Sequence, residues 1–394
     1  MKRTSSSAIR ESNRSSVVEM LRRHGAMTRA DLAAATGLSR ATISSLLTQL
    51  STAGMITEHR PPTEGGTGRP SALVSLDRTA GLAIAVDIGV RHVAVAVGDL
   101  SRRVLAERWV PLPHGHSADA GIATVLDCID QTTAEADARR DQIMGAAISI
   151  AAPVPRTERR LAVPGVLPGW NSAALASAVG ERWDVPVAVE NDANAGALGE
   201  STFGVLAGAP SLVYVKLASR VGLGCVLEGS LYRGGGGFAG ELGHITVDLD
   251  GERCWCGLRG CLELYAGGDG LLRRLDRAGA RVEDIADLVR RAHDGDAAVL
   301  RAVADGARML AVGLSSVALL LNPSAIVIGG ELAELGELLL GPIRQQLAEI
   351  PFGPPTEVVR STLGDRASMV GALALVLTES RRFGDRSGSV APSA

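Results

Sequence analysis

The chain has 394 residues, 46% of them apolar and 3% aromatic, with 40 Lys/Arg against 43 Asp/Glu. That length allows two or three domains around a sizeable core, and so few aromatics argue against the base-stacking surfaces of single-strand binders. Charge is unevenly spread: residues 1–75 carry 10 basic and 5 acidic side chains, the remainder 30 and 38, so a basic head on an acidic body points to a polyanion partner for the head.

Lysine occurs only at Lys2 and Lys216, a bias for which coding composition is the plain explanation. No stretch has the features of a secretion signal, and no run of about 20 apolar residues exists to span a bilayer. The apolar stretch at residues 309–321 is too short and too interrupted by Ser and Gly. The expectation is a cytoplasmic protein with no membrane partner.

Residues 1–7 are polar and read as disordered. Helical spacing over residues 9–24 places Val17, Val18, Met20 and Leu21 on one side, with Gly25 as the stop. A second helix starts from Thr28, an N-cap with Asp31 three residues on, and ends near Gly37. A third starts at Ser39, buries Ile43, Leu46, Leu47 and Leu50, and stops at Gly54. Two short helices across a Gly-containing turn form a helix-turn-helix pattern. Strands at 55–57 and 72–76, around a Pro/Gly-rich tip at 61–70, complete a wing. Residues 8–78 therefore read as a winged helix-turn-helix DNA-binding domain. Its recognition helix offers Ser39, Arg40, Thr42, Ser44 and Ser45 at the N-terminal end, the groups that reach major-groove edges and phosphates. Arg69 on the flexible tip suits a minor groove or a phosphate.

From residue 79 to about 380 the pattern is α/β. Strands at 82–86, 93–97 and 104–109 precede a helix at 118–139 and a strand at 143–150. A helix at 173–183, a strand at 185–189, a helix at 193–203 and strands at 212–217 and 224–228 follow. Helices at 296–321 and 337–350 then flank a strand at 325–328. Hairpins followed by crossover helices, occurring twice, indicate a duplicated domain with a cleft between its lobes, divided near residue 190. Residues 381–394 read as a disordered tail.

Within that domain His244 precedes Cys254-Trp-Cys256-Gly-Leu-Arg-Gly-Cys261. Three thiolates and an imidazole are the complement of a structural Zn2+ with no open position, and Gly257 and Gly260 let the loop wrap the ion. Reduced cysteines in a loop are the bland alternative. Cys128 and Cys225 fall on helix and strand faces and read as core residues.

The segments Ala239-Gly-Glu-Leu-Gly-His244 and Cys254–Glu263 resemble the ROK family of repressors, open reading frames and sugar kinases. Glu190-Asn-Asp-Ala-Asn194, Pro168-Gly-Trp170 and Ile326-Val-Ile-Gly-Gly330 match it in order. The winged head resembles that of regulatory members, including repressors of xylose and N-acetylglucosamine genes. The resemblance implies a two-lobed actin-like, sugar-kinase (ribonuclease H-like) fold, with the C-terminal helix packing back on the first lobe. It implies sugar contacts at Asn191, Asp192, Glu241, His244 and Glu263, with Asp192 at the place of the kinases' general base. Carboxylates and amides are apt groups to grip sugar hydroxyls. Two departures bear on ATP. Val90 and Arg91 replace the second Gly and the Thr of the first phosphate turn, and Ala218-Ser-Arg220 stands where Gly-Thr-Gly is usual. Side chains there keep backbone amides from wrapping a phosphate. Ala151-Ala152 replaces an expected Pro-Gly.

These features predict a sugar-responsive transcription regulator, most simply a repressor, that binds a palindromic operator as a homodimer or homotetramer, answers to a sugar or sugar phosphate, and has no catalytic residues. A hexose kinase using Asp192 as base, and a DNA-binding architectural protein without a small ligand, are the competing readings.

Overall fold

A computed structural model of the chain describes residues 6–59, 72–77, 80–113, 116–155, 167, 169–353 and 355–378. The expected wing tip with Arg69, Pro168 and the C-terminal tail lie outside the described residues.

The head opens with α1 (Ser6–His24), which starts inside the segment expected to be disordered. After the short strand β1 (Met27–Thr28), Thr28 caps α2 (Arg29–Thr36) through a reciprocal box with Asp31, and Gly37 ends that helix at φ 69°. Ser39 caps α3 (Arg40–Thr52) by accepting from the Thr42 N–H, a bond worth about 1 kcal/mol. The strands β2 (Ile56–His59) and β3 (Leu73–Leu76) pair antiparallel, and β1 adds to the other edge of β3. Val17, Leu21, Leu32, Ile43, Leu47, Leu50 and Val74 form one buried core beneath the three helices and this sheet.

The first lobe is a five-stranded sheet in the order β6-β5-β4-β7-β8, built from β4 (Leu82–Ile88), β5 (His92–Asp99), β6 (Val104–Pro111), β7 (Ile143–Ile150) and β8 (Val187–Asn191). Between strands run α4 (Ala118–Glu135) and α5 (Ser172–Trp183). The expected 118–139 helix stops early because Asp137 turns left-handed at φ 50°; β8 starts two residues later than expected because the Val185 N–H still bonds to the Gly180 carbonyl at the end of α5. Alternation across β4 and β5 divides the faces by size. Ile84, Val86, Val93, Val95 and Val97 join the cluster with Ile129 and Leu175, whereas Ala83, Ala85, Ala94 and Ala96 face the other way. Small side chains on that second face let a helix approach closely.

The second lobe repeats the plan. After α6 (Asp192–Phe203), the strands β9 (Ser211–Leu217), β10 (Val221–Leu227), β11 (Ser230–Tyr232), β12 (Ala325–Gly329) and β13 (Glu357–Arg360) form a sheet in the order β11-β10-β9-β12-β13. In both sheets a meander of three antiparallel strands continues into two parallel ones, so the expected duplication is present. Its outer face is covered by α7 (Glu263–Ala266), α8 (Gly268–Arg277), α9 (Ile285–His293), α10 (Ala297–Leu321) and α11 (Glu337–Ala348). The apolar stretch at 309–321 ends α10, whose 25 residues are, by length and composition, long and apolar enough to cross a membrane. Val299, Val303, Leu310 and Leu314 of α10 are buried in the lobe's core. Finally α12 (Ala367–Thr378) returns to the alanine face of the first sheet, where Leu373 and Val376 pack.

Candidate functional site

Between the lobes, the first turn after β4, the β8–α6 junction, the β9–β10 turn and the loop after β11 line one cleft. Asn191, Asp192, Glu241, His244 and Glu263 all reach it. Each is placed by local structure. Asn191 caps α6, its side-chain oxygen accepting from the Ala193 and Asn194 N–H groups, so Asp192 occupies the helix's first position. The buried Glu190 braces that junction by accepting from Arg233 Nε at 2.5 Å and Asn194 Nδ2 at 3.0 Å. Glu241 and His244 bracket a single 3-10 turn, and Glu263 opens α7.

The acids are not equivalent. Burial, followed by the charges of Asp192 and Glu263, pushes the Glu241 carboxyl up to about 7. Asp192 instead receives the Lys216 ammonium on Oδ2 at 2.8 Å. Burial alone would push the Asp87 carboxyl up. The Lys216 charge and hydrogen bonds from His92 and Ser149 outweigh it and hold Asp87 below the usual carboxylate range. For Lys216 burial favours the neutral amine, but Asp192 and Asp87 outweigh it and raise the ammonium above its ordinary value. Glu263 accepts from Trp255 Nε1 at 2.6 Å and lies 3.5 Å from Arg220, whose guanidinium sits 4.8 Å from the Trp255 ring centre.

Sequence reasoning did not assign a role to Lys216, Trp255, His92 or Asp87, and Arg220 entered it only as an obstruction to phosphate. A signal for one of them was present: Lys216 is one of just two lysines, and a lone lysine at the end of an apolar strand needs a carboxylate partner.

The ligand atoms of His244, Cys254, Cys256 and Cys261 all lie within 4.8 Å of one another. Cys256 Sγ and Cys261 Sγ are 3.6 Å apart, and Cys254 Sγ is 3.7 Å from His244 Nδ1; two thiolates on a tetrahedral zinc are about 3.8 Å apart. The loop closes through Gly260 at φ 58°, where a Cβ would overlap the Asp248 carbonyl. Burial pushes the Cys254 and Cys261 thiols up, so a cation is what would hold them as thiolates. The residues fit a metal ion. Because Trp255 lies between two of these cysteines and holds Glu263, the cysteine loop and the cleft are one unit. Cys128 and Cys225 are buried in the two sheets' cores, as expected.

In the head, Ser39, Arg40 and Ser45 are exposed and Thr42 and Ser44 half-buried on α3. The Ser39 hydroxyl is committed to the cap, 2.9 Å from Thr42 Oγ1. Gln49, not singled out from the sequence, continues the same exposed face.

The ROK family model matches residues 83–379, and the MarR family model matches residues 12–65. Among curated proteins the chain is similar to the xylose repressor of Bacillus subtilis, 28% identical over 94% of this chain and 96% of the relative. It is also similar to the glucokinase of Streptomyces coelicolor, 31% identical over 74% of this chain and 96% of the relative. Among solved structures it resembles a ROK family transcriptional regulator, a homolog of the E. coli MLC protein. That likeness has 26% identity and a TM-score of 0.78 and covers 95% of this chain and 97% of the other. A ROK family glucokinase from Streptomyces griseus, solved with glucose and AMPPNP, aligns at 32% identity over 75% of this chain and 99% of the other, with a TM-score of 0.63.

Proposed function

This chain belongs to the ROK family, and from that premise we propose that it is a sugar-responsive, DNA-binding transcriptional repressor. One observation carries the reading: a capped helix-turn-helix head shares a chain with a cleft on which Asn191, Asp192, Glu241 and Glu263 converge. Ser39, Arg40, Thr42, Ser44 and Ser45 contact the duplex, with Arg69 of the wing, and the five cleft residues including His244 contact the sugar. Likeness over nearly the full length to a xylose repressor supports this assignment. The bound metal is Zn2+, held by His244, Cys254, Cys256 and Cys261, and its part is to fix Trp255 and so Glu263. The active form is a dimer whose two heads read a palindrome.

Likeness to glucokinases and Asp192 at the head of α6 favour a second reading, a hexose kinase. Against it, Val90, Arg91, Ala218 and Arg220 line the cleft at positions where a phosphate cradle needs open backbone amides.

The test is a gel shift on duplexes selected from random DNA by the protein itself, repeated with a panel of neutral and phosphorylated sugars. At least one sugar is expected to release the DNA; a complex indifferent to all of them refutes the effector reading. Turnover of ATP with any of the same sugars at roughly 1 per second, ordinary for enzymes, favours the kinase.

A further inference from the structure

The cleft and the head are joined by one helix. In its first turn, the buried Ser368 donates to the Asp192 carbonyl at 3.0 Å and accepts from Lys216 Nζ at 3.1 Å. In its last turn, the Leu377 carbonyl accepts from Arg22 Nη2 of α1 at 3.0 Å, while Arg22 Nε donates to the Leu100 carbonyl at 2.8 Å. Nine residues of rise separate Ser368 from Leu377, about 14 Å along α12. Around that clamp Arg102 pairs with Glu19 of α1 at 2.9 Å, and Met55 of the head packs on the cluster that holds Leu373 and Val376. The Arg22 side chain is only 7% exposed, so its guanidinium has exchanged water for two carbonyls and resists displacement.

The helix cannot slide on its neighbour. A Cβ at Gly371 would overlap the Ala195 carbonyl oxygen, and one at Gly199 the Ala367 carbonyl oxygen, so α6 and α12 touch backbone to backbone. Asp192 begins α6 and Ser368 lies in the first turn of α12, and Lys216 touches both, 2.8 Å from the Asp192 carboxylate and 3.1 Å from the Ser368 hydroxyl. A contact packed this closely does not deform smoothly, so α6 and α12 move together.

We propose that Lys216 is a positioning residue that couples the cleft to the head: from β9 it ties down the starts of both α6 and α12, at Asp192 and Ser368, and α12 carries a displacement of that pair to the Arg22 clamp on α1. A sugar hydroxyl that bonds the Asp192 carboxylate competes with Lys216 for Oδ2. The ammonium then shifts relative to Ser368, the α6–α12 pair moves as one body, and the head is re-aimed. A ligand moves an equilibrium only through contacts that differ between its two states, and the Lys216–Asp192 contact is such a difference. The inference rests on the reading of the cleft as an effector site.

The experiment compares the full-length protein with Lys216→Met, Ser368→Ala and Arg22→Gln. D-xylose and D-glucose serve as probes, with sugar binding followed by calorimetry and DNA binding by gel shift on a selected duplex. For each variant, release of DNA is scored at sugar concentrations that saturate that variant by calorimetry, which removes any change in sugar affinity from the comparison. Wild type is expected to lose DNA affinity about tenfold or more when saturated, within the usual range of coupling factors. All three variants are expected to bind DNA like wild type without sugar, and to keep it bound when saturated with sugar. Reciprocity supplies a second readout: excess duplex weakens sugar binding to wild type by the same factor and leaves it unchanged in Arg22→Gln. Variants that release DNA as wild type does at equal saturation overturn the relay alone. A wild type whose complex ignores both probes and every other sugar overturns the effector reading, and the relay with it.

Discussion

The acids in and beside the cleft divide by whether a cation reaches them. Asp87 and Asp192 have Lys216; Glu200 does not. It is fully buried, accepts one hydrogen bond from the Ser361 hydroxyl, and has no partner for Oε2 among the described residues. Burial therefore pushes its carboxyl up. For an acid whose folded pKa is raised, folding is penalised from the ordinary carboxylate range upward, because the unfolded chain has already released the proton that the folded one retains. Glu200→Gln lacks that penalty. Its urea midpoint should exceed that of wild type by more near pH 8 than near pH 5, and an equal difference at both pH values would show that Glu200 is not the penalised group. The metal loop offers a second residue-scale test. Cys256→Ser should reduce metal from about one ion per chain to almost none, since a tetrahedral site with three ligands and a hydroxyl binds far more weakly. Unchanged metal content by atomic absorption removes Cys256 from the ligand set.

Among the elements, α3 and α12 do opposite jobs. The capped N-terminal turn of α3 leaves polar side chains on the surface while Ile43, Leu46, Leu47 and Leu50 anchor it. Arg40→Ala should therefore raise the dissociation constant for duplex DNA about tenfold, roughly 1.4 kcal/mol, without altering the circular dichroism spectrum. Unchanged affinity would place the contact surface elsewhere. The α12 helix is built for contact instead, its glycine pressed on the α6 backbone. Gly371→Ala should cost about 1–3 kcal/mol of stability, the range for overpacked cores, read as a lower urea midpoint at an unchanged slope. A variant as stable as wild type would mean that the two helices are not locked.

At the scale of the molecule, two copies of one sheet plan enclose the cleft, and acids from the β8–α6 junction and from the loops of the second lobe face each other across it. A sugar gripped from both sides should favour the closed arrangement. Small-angle scattering with a saturating releasing sugar is expected to give a smaller radius of gyration than the free protein; an unchanged or larger radius rules out closure as the response.

Much of this was written locally and could be read in order. Thr28 with Asp31, Ser39 before an apolar period, Gly37 and Gly54 as stops, and three cysteines within eight residues each encode structure through contacts near in sequence, so the helix-turn-helix head and the clustering of His244 with the three cysteines were legible. The family motifs likewise placed Asn191, Asp192, Glu241 and Glu263, and all four do line one cleft. What stayed hidden depends on contacts between distant residues. The strand β1 exists only because β3 pairs with it, and α8 and α9 were overlooked between clearer signals. Above all, Lys216 meets Asp192 and Ser368, and Arg22 meets Leu377, across 152 and 355 residues in the latter cases. A buried charge acquires its meaning from the partner that desolvates with it, and which partner that is only the packing of two lobes and a head against α12 decided.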